Sequence, residues 1–136
     1  MISASDLATA FPCINPGVRP LGTRVLVQLR RVRERTDSGI VLVDDTKSFN
    51  KSITQLAKVV SLGPIAYCNR SSGEKWPEGV WVKEGDLVRV PKHGGDRFQR
   101  KVPDSPEESV VFAMFQDHEI LSAVEPEVFS ELDEIL

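Results

Sequence analysis

The chain has 136 residues, room for one domain with tails, and a core at that size hides roughly two-thirds of the unfolded surface. Hydrophobic residues make up 40% and charged residues 27%, a globular balance that excludes a disordered chain, and the longest apolar run, Val110 to Phe115, is far below the ~20 residues of a membrane-spanning helix. The net charge of −3 is unevenly placed: residues 1–101 hold all 17 Lys and Arg against 10 acids, net +7, while residues 102–136 hold 10 acids and no Lys or Arg, net −10.

Residues 1–17 read as an N-terminal extension. Within it Asp6 to Phe11 suits one or two helical turns, with Ser5 as N-cap and Pro12 and Pro16 stopping them. Arg24 to Arg30 reads as a strand, with Val25, Val27 and Leu29 on one face and Arg24, Leu26, Gln28 and Arg30 on the other. Leu26 makes that second face part-buried. Between Arg33 and Gln55 the pattern is lost. Polar residues 33–38 and 44–48 flank a lone apolar group, Gly39-Ile40-Val41-Leu42-Val43. A connection of about twenty residues inside a compact domain is either functional or disordered as a rule.

Leu56 to Leu62 is the next strand, closed by Gly63-Pro64. A polar, turn-rich insert, Asn69 to Lys75, leads into Trp76-Pro77-Glu78-Gly79. Val80-Trp81-Val82 and Leu87-Val88-Arg89-Val90 predict a hairpin around a turn at Lys83–Asp86, where Gly85 supplies the positive φ. Pro91 to Pro106 reads as mostly loop. Val110–Phe115 and Ile120–Val124 complete the strands. After Pro126, the residues Val128, Phe129, Leu132, Ile135 and Leu136 share one side at helical spacing, which predicts a short C-terminal helix in an acidic amphipathic tail, 127–136. Short strands without a long helical period predict an all-β fold, a small barrel or sandwich.

Chemistry-bearing patterns are sparse. Cys13 and Cys68 have neither metal-ligand spacing nor a disulfide framework, which points to a reduced, cytoplasmic compartment. No Lys or Arg precedes Arg19 and Asp6 interrupts the leading segment, so no secretory leader is expected. His93-Gly94-Gly95-Asp96 lacks the spacing and the following helix of a phosphate cradle. His93 and His118 lie in different segments with no cysteine spaced to join either at a metal. Asp117-His118-Glu119 reads as a polar turn rather than an acid–base site. Cys68, beside Tyr67, is a conceivable thiol nucleophile that nothing nearby in sequence activates. No catalytic residue, metal or cofactor is expected.

The apolar group within the polar connection has two readings. On composition alone it is a short buried strand. Alternatively it is a recognition segment, exposing Ile40-Val41-Leu42 until a partner supplies an apolar groove.

The order of landmarks along the chain resembles the GroES-type co-chaperonins, the ten-kilodalton lids of chaperonin rings. Arg19-Pro20-Leu21 followed by Arg24-Val25-Leu26-Val27 is similar to that family's opening. Ser38-Gly39-Ile40-Val41-Leu42 resembles its mobile-loop tripeptide and preceding glycine, and Ala57 to Gly63 its post-loop strand. Val82-Lys83-Glu84-Gly85-Asp86-Leu87-Val88 resembles its Val-Lys-x-Gly-Asp-x-Val turn, and Ile120 to Glu125 its closing strand. The resemblance spans residues 18–126 as one barrel domain, with a mobile loop at about 33–54 and a roof-like insert at about 64–80.

This resemblance implies a small irregular β-barrel that assembles into a homoheptameric ring. It implies subunit contacts through Val18, Arg19, Pro20 and Leu21 of one chain and Ile120, Leu121, Ser122, Ala123 and Val124 of the next. It further implies a GroEL-type chaperonin partner gripped by Gly39, Ile40, Val41 and Leu42, an unfolded client protein in the chamber, and ATP bound by the partner rather than by this chain. Neither nucleic acid nor membrane is an expected partner. The extended loop with Asp44-Asp45, the Trp76 and Trp81 insert and both terminal additions depart from the family, and suit a divergent, phage-encoded member with a reshaped chamber.

A rival reading is a small RNA-binding barrel. Gly85 to Val90 also resembles the KOW element of ribosomal and transcription-factor barrels, and Arg30, Arg31, Arg33 and Arg35 would meet phosphates. Against it stand the sequence pI of about 5.4 and the absence of aromatics among those arginines.

Overall fold

The computed structural model describes residues 11–36, 39–44, 54–91, 94–103 and 105–128, with backbone alone for 31–36, 39–44, 54, 105–108 and 128. Eight strands follow in chain order: β1 (Arg24–Leu29), β2 (Arg31–Thr36), β3 (Gly39–Asp44), β4 (Thr54–Leu62), β5 (Leu87–Pro91), β6 (Asp96–Val102), β7 (Ser105–Gln116) and β8 (Ser122–Val124). Six of them form one sheet in the order β6-β7-β1-β4-β5-β8, every neighbouring pair antiparallel. β2 and β3 form a separate two-stranded ribbon. The architecture is all-β, the small irregular barrel expected from the sequence.

β1 explains why the sheet has two apolar faces. Its residues alternate between them, and everything from Val25 to Leu29 is buried. Val25, Val27 and Leu29 enter the larger core with Val59, Val88, Val90, Ala113 and Phe115. Leu26 enters a smaller cluster with Val110 and Phe112, against which Ile14, Val60, Phe98 and Met114 pack. Phe98 stacks on Phe112 with ring centroids 5.4 Å apart. Each such side chain contributes roughly 1.5–3 kcal/mol by leaving water.

Residues 11–17, within the expected extension, strap this second face. Phe11 is 3% exposed, the Gln28 amide Nε2 donates to the Pro12 carbonyl at 2.9 Å, and Arg100 Nε donates to the Asn15 carbonyl at 3.3 Å. The buried amide of Gln28 therefore has an acceptor, as a polar group at that depth requires. The helical turns expected at Asp6–Phe11 lie, up to residue 10, outside the described residues.

Three expectations are corrected. The turn at Lys83–Asp86 forms, with Asp86 N–H donating to Lys83 O at 3.1 Å, Lys83 N–H to Asp86 Oδ2 at 3.0 Å, and Gly85 at φ 92°. Val80–Val82 is nevertheless not a strand: Val82 is drawn into the core and Trp81 into an aromatic cluster, while β5 pairs with β4 and β8 instead. Second, the stretch expected as loop after Pro91 contains β6, which pairs with β7 from Asp96↔Met114 to Val102↔Ser105. Arg97, Gln99, Arg100 and Lys101 give it no apolar period, and its pairing comes from the longer partner strand. Third, the closing strand shortens to β8, Ile120 being buried ahead of it. After Pro126 a single 3-10 turn reaches Val128; the remainder of the expected C-terminal helix lies outside the described residues.

Candidate functional site

The family resemblance made Gly39–Leu42 the candidate contact, and the structure places all four in β3. The ribbon register pairs Arg31↔Asp44, Val32↔Val43, Arg33↔Leu42, Glu34↔Val41, Arg35↔Ile40 and Thr36↔Gly39. Directly opposed residues of an antiparallel pair share a face, and the period of two separates the faces. Ile40 and Leu42 thus lie on the face of Arg31, Arg33, Arg35 and Asp44, while Val41 lies on the face of Val32, Glu34 and Val43. The backbone of the apolar group pairs with β2 along one edge, outside the six-stranded sheet. Asp37, Ser38 and residues 45–53 of the expected mobile loop lie outside the described residues.

The ribbon departs from a firmly built root. Arg30, 1% exposed, donates its backbone N–H to Leu56 O at 3.0 Å, which zips β1 to β4 at the point where the ribbon leaves. Gln55, also 1% exposed, accepts at Oε1 from Arg97 Nη1 at 2.7 Å. Arg97 further donates from Nη2 to Pro91 O and from Nε to Gly94 O, each at 3.1 Å, and its guanidinium lies 5.8 Å from the Phe115 ring centroid. One side chain thereby ties the starts of β4 and β6 to the end of β5. Beyond the root, β3 runs beside β7.

Six of the nine expected subunit-contact residues are exposed. Val18, Leu21 and Leu121 are large apolar side chains 47%, 60% and 53% exposed. Arg19, Ser122 and Ala123 are exposed as well, whereas Pro20, Ile120 and Val124 are buried. β8 ends the sheet order and pairs on one side with β5. Within one chain, no backbone hydrogen bond among the described residues joins 18–21 to 120–124.

The insert after β4 is fastened quite differently from the ribbon. Gly63 donates to Arg24 O at 2.8 Å, and a Cβ at Gly63 would collide with the Gly22 carbonyl, so only glycine permits this crossing. Tyr67, Trp76 and Trp81 then cluster with centroids 5.2–5.3 Å apart. Tyr67 has φ 62°, a left-handed conformation costly for an aromatic residue, and its N–H donates to Asp117 Oδ2 at 2.9 Å. Burial, aided by the Asp117 charge, pushes the Tyr67 hydroxyl up to about 12. That hydroxyl is buried with no hydrogen-bond partner among the described residues.

Asp117 was legible only as part of a polar turn, and a 3-10 turn does form over Asp117–Glu119. Its role as a 3% exposed anchor was not legible, because the amide it holds lies fifty positions away in sequence. Its carboxylate also accepts from His118 N–H at 2.8 Å, with His118 Nδ1 at 3.5 Å. Cys68 and His118 line the same shallow cleft. At that cleft the Asp117 carboxylate accepts from the backbone N–H groups of Tyr67 and His118. Among the described residues no group of three His, Cys, Asp or Glu is placed to hold a metal ion. Of the segment behind the RNA-binding alternative, Leu87, Val88 and Val90 are buried, Asp86 and Arg89 half-buried and Gly85 exposed.

The family described as the chaperonin 10 kDa subunit matches residues 17–123. A co-chaperonin GroES of Methylacidiphilum infernorum is 37% identical over 82 residues, covering 60% of this chain and 75% of that protein. The co-chaperonin GroES of Caldicellulosiruptor saccharolyticus is 38% identical over 78 residues, 57% of this chain and 73% of its own. That of Symbiobacterium thermophilum reaches 41% over 78 residues, 57% and 72%.

Proposed function

The chain belongs to the chaperonin 10 kDa subunit family, the GroES co-chaperonins, and on that premise we propose that it forms a ring-shaped lid closing a GroEL-type chaperonin over an unfolded client. Gly39, Ile40, Val41 and Leu42 are the grip. The observation that carries this reading is the strand pairing of the β2–β3 ribbon, which is separate from that of the six-stranded sheet: an apolar strand paired only to a charged one.

Energetics favour many weak grips. Burying Ile40, Val41 and Leu42 in a groove is worth roughly 1.5–3 kcal/mol each, against about 1–2 kcal/mol for each loop residue ordered. One copy holds weakly and several copies on one ring hold well, because each bound copy raises the effective concentration of the next. Weak individual grips also allow release when the partner's groove changes shape. In this reading ATP is bound by the chaperonin.

The ring itself is proposed as a heptamer in which the segment Val18–Leu21 of one subunit meets Ile120–Val124 of the next. Support comes from the open side of β8 and from exposed Val18, Leu21 and Leu121. Such pairing covers a strand edge that would otherwise invite uncontrolled association. No helix among the described residues is long and apolar enough to cross a membrane, and a cytoplasmic site of action accompanies the proposal.

Native mass spectrometry of the full chain, alone and with a GroEL-type chaperonin plus nucleotide, tests both parts. The expected result is a seven-subunit ring that joins the chaperonin only with nucleotide. A monomer that ignores the chaperonin would overturn the reading.

A further inference from the structure

The ribbon carries a charge asymmetry that the apolar grip does not use. The register places Arg31, Arg33 and Arg35 on one face together with Ile40 and Leu42, with Asp44 opposite Arg31. That face has three positive charges and one negative. The other face, carrying Val32, Val41 and Val43, has Glu34 alone. Two of the three apolar grip positions therefore share a face with a row of arginines at alternate positions, spaced about 6.5–7 Å along the strand.

We infer that β2 is a second, electrostatic half of the contact: its arginines select a chaperonin groove that is apolar at its floor and edged by aspartate or glutamate carboxylates. This rests on the proposed grip through β3 and adds the chemistry of the partner's rim. A carboxylate edge opposite Arg31, Arg33 and Arg35 attracts the ribbon before contact, speeds association, and rejects grooves with basic or neutral edges. Exposed pairs of this kind contribute little singly and are screened by salt. Their effect therefore appears in the association rate and in its salt dependence, multiplied by the number of copies on the ring.

The test uses the full chain, a GroEL-type chaperonin with nucleotide, and three variants: Val41→Asp, the triple R31Q/R33Q/R35Q, and the triple R31K/R33K/R35K. The expected result is an association rate about tenfold lower for the glutamine triple at low salt, with the slope against salt concentration nearly lost. The lysine triple restores both, and all variants keep the wild-type melting temperature. If Val41→Asp associates normally, the grip reading fails. If Val41→Asp abolishes association while the glutamine triple matches wild type at every salt concentration, the grip stands and the electrostatic half is overturned. It is equally overturned if the glutamine triple melts early, since the arginines would then serve the chain's own fold, with single Arg33→Glu as the smaller change that checks this. A triple that loses retention of labelled RNA but keeps its chaperonin association rate overturns it too.

Discussion

Two excursions leave the sheet, the ribbon at 31–44 and the insert at 64–82, and they are held by opposite means. The insert is fixed by side chains: three aromatic rings in mutual contact, a glycine crossing that tolerates no Cβ, and a buried carboxylate holding a strained amide. The ribbon is fixed at its root by Arg30, Gln55 and Arg97, and beyond the root its strands pair with each other while β3 runs beside β7. A segment tied by many buried contacts shares the stability of the core, whereas a self-paired ribbon can be changed or captured without unfolding the domain. On the proposed function, partner binding falls to the ribbon and fold stability to the insert.

Substitutions separate the two. The largest expected effect is on binding: Val41→Asp puts a charge at the apolar centre of the proposed grip, repeated in every subunit of the proposed ring, and abolishes nucleotide-dependent association in a pull-down while the melting temperature stays at the wild-type value. Trp76→Ala does the reverse. Loss of its contacts with Tyr67 and Trp81 costs about 3 kcal/mol of unfolding free energy in denaturant titrations, and the folded fraction still binds the chaperonin. Asp117→Ala leaves the Tyr67 amide without its acceptor and costs about 1–3 kcal/mol, again without loss of binding.

How far these roles were legible depends on the length scale of the forces that set them. The strand β1 followed from alternation, and the turn at Gly85 from a local backbone requirement. The family followed from the order of landmarks around Arg19, Gly39, Gly63, Gly85 and Ile120. β6 did not, because Arg97, Gln99, Arg100 and Lys101 carry no period and the strand exists by pairing with β7. Val80–Val82 looked like a strand because it is apolar, but Trp81 serves the aromatic cluster and Val82 the core, while Val80 is exposed. The anchors Asp117, Gln55 and Arg97 act across long stretches of sequence, and no local pattern marks a carboxylate, amide or guanidinium that will be paired only after the sheet forms.

The smallest effect is a pH dependence confined to the insert. The Tyr67 hydroxyl is raised from its ordinary value near 10 to about 12, by burial first and by the Asp117 charge second. The unfolded chain therefore loses that proton at lower pH than the folded chain. The stabilisation is fully present below pH 10 and is lost as pH rises toward 12. Tyr67→Phe removes this part of the decline in a series of thermal melts and costs little at neutral pH, since the hydroxyl has no partner among the described residues. An unaltered decline in Tyr67→Phe would place its origin elsewhere.

Amide hydrogen exchange of the full chain, free and bound to a GroEL-type chaperonin with nucleotide, tests the division of labour most directly. The account predicts that amides of 39–44 exchange quickly in the free protein and become strongly protected in the complex, while those of 64–82 are equally protected in both states. Equal protection of 39–44 in the two states, or protection gained at 64–82 instead, would contradict it.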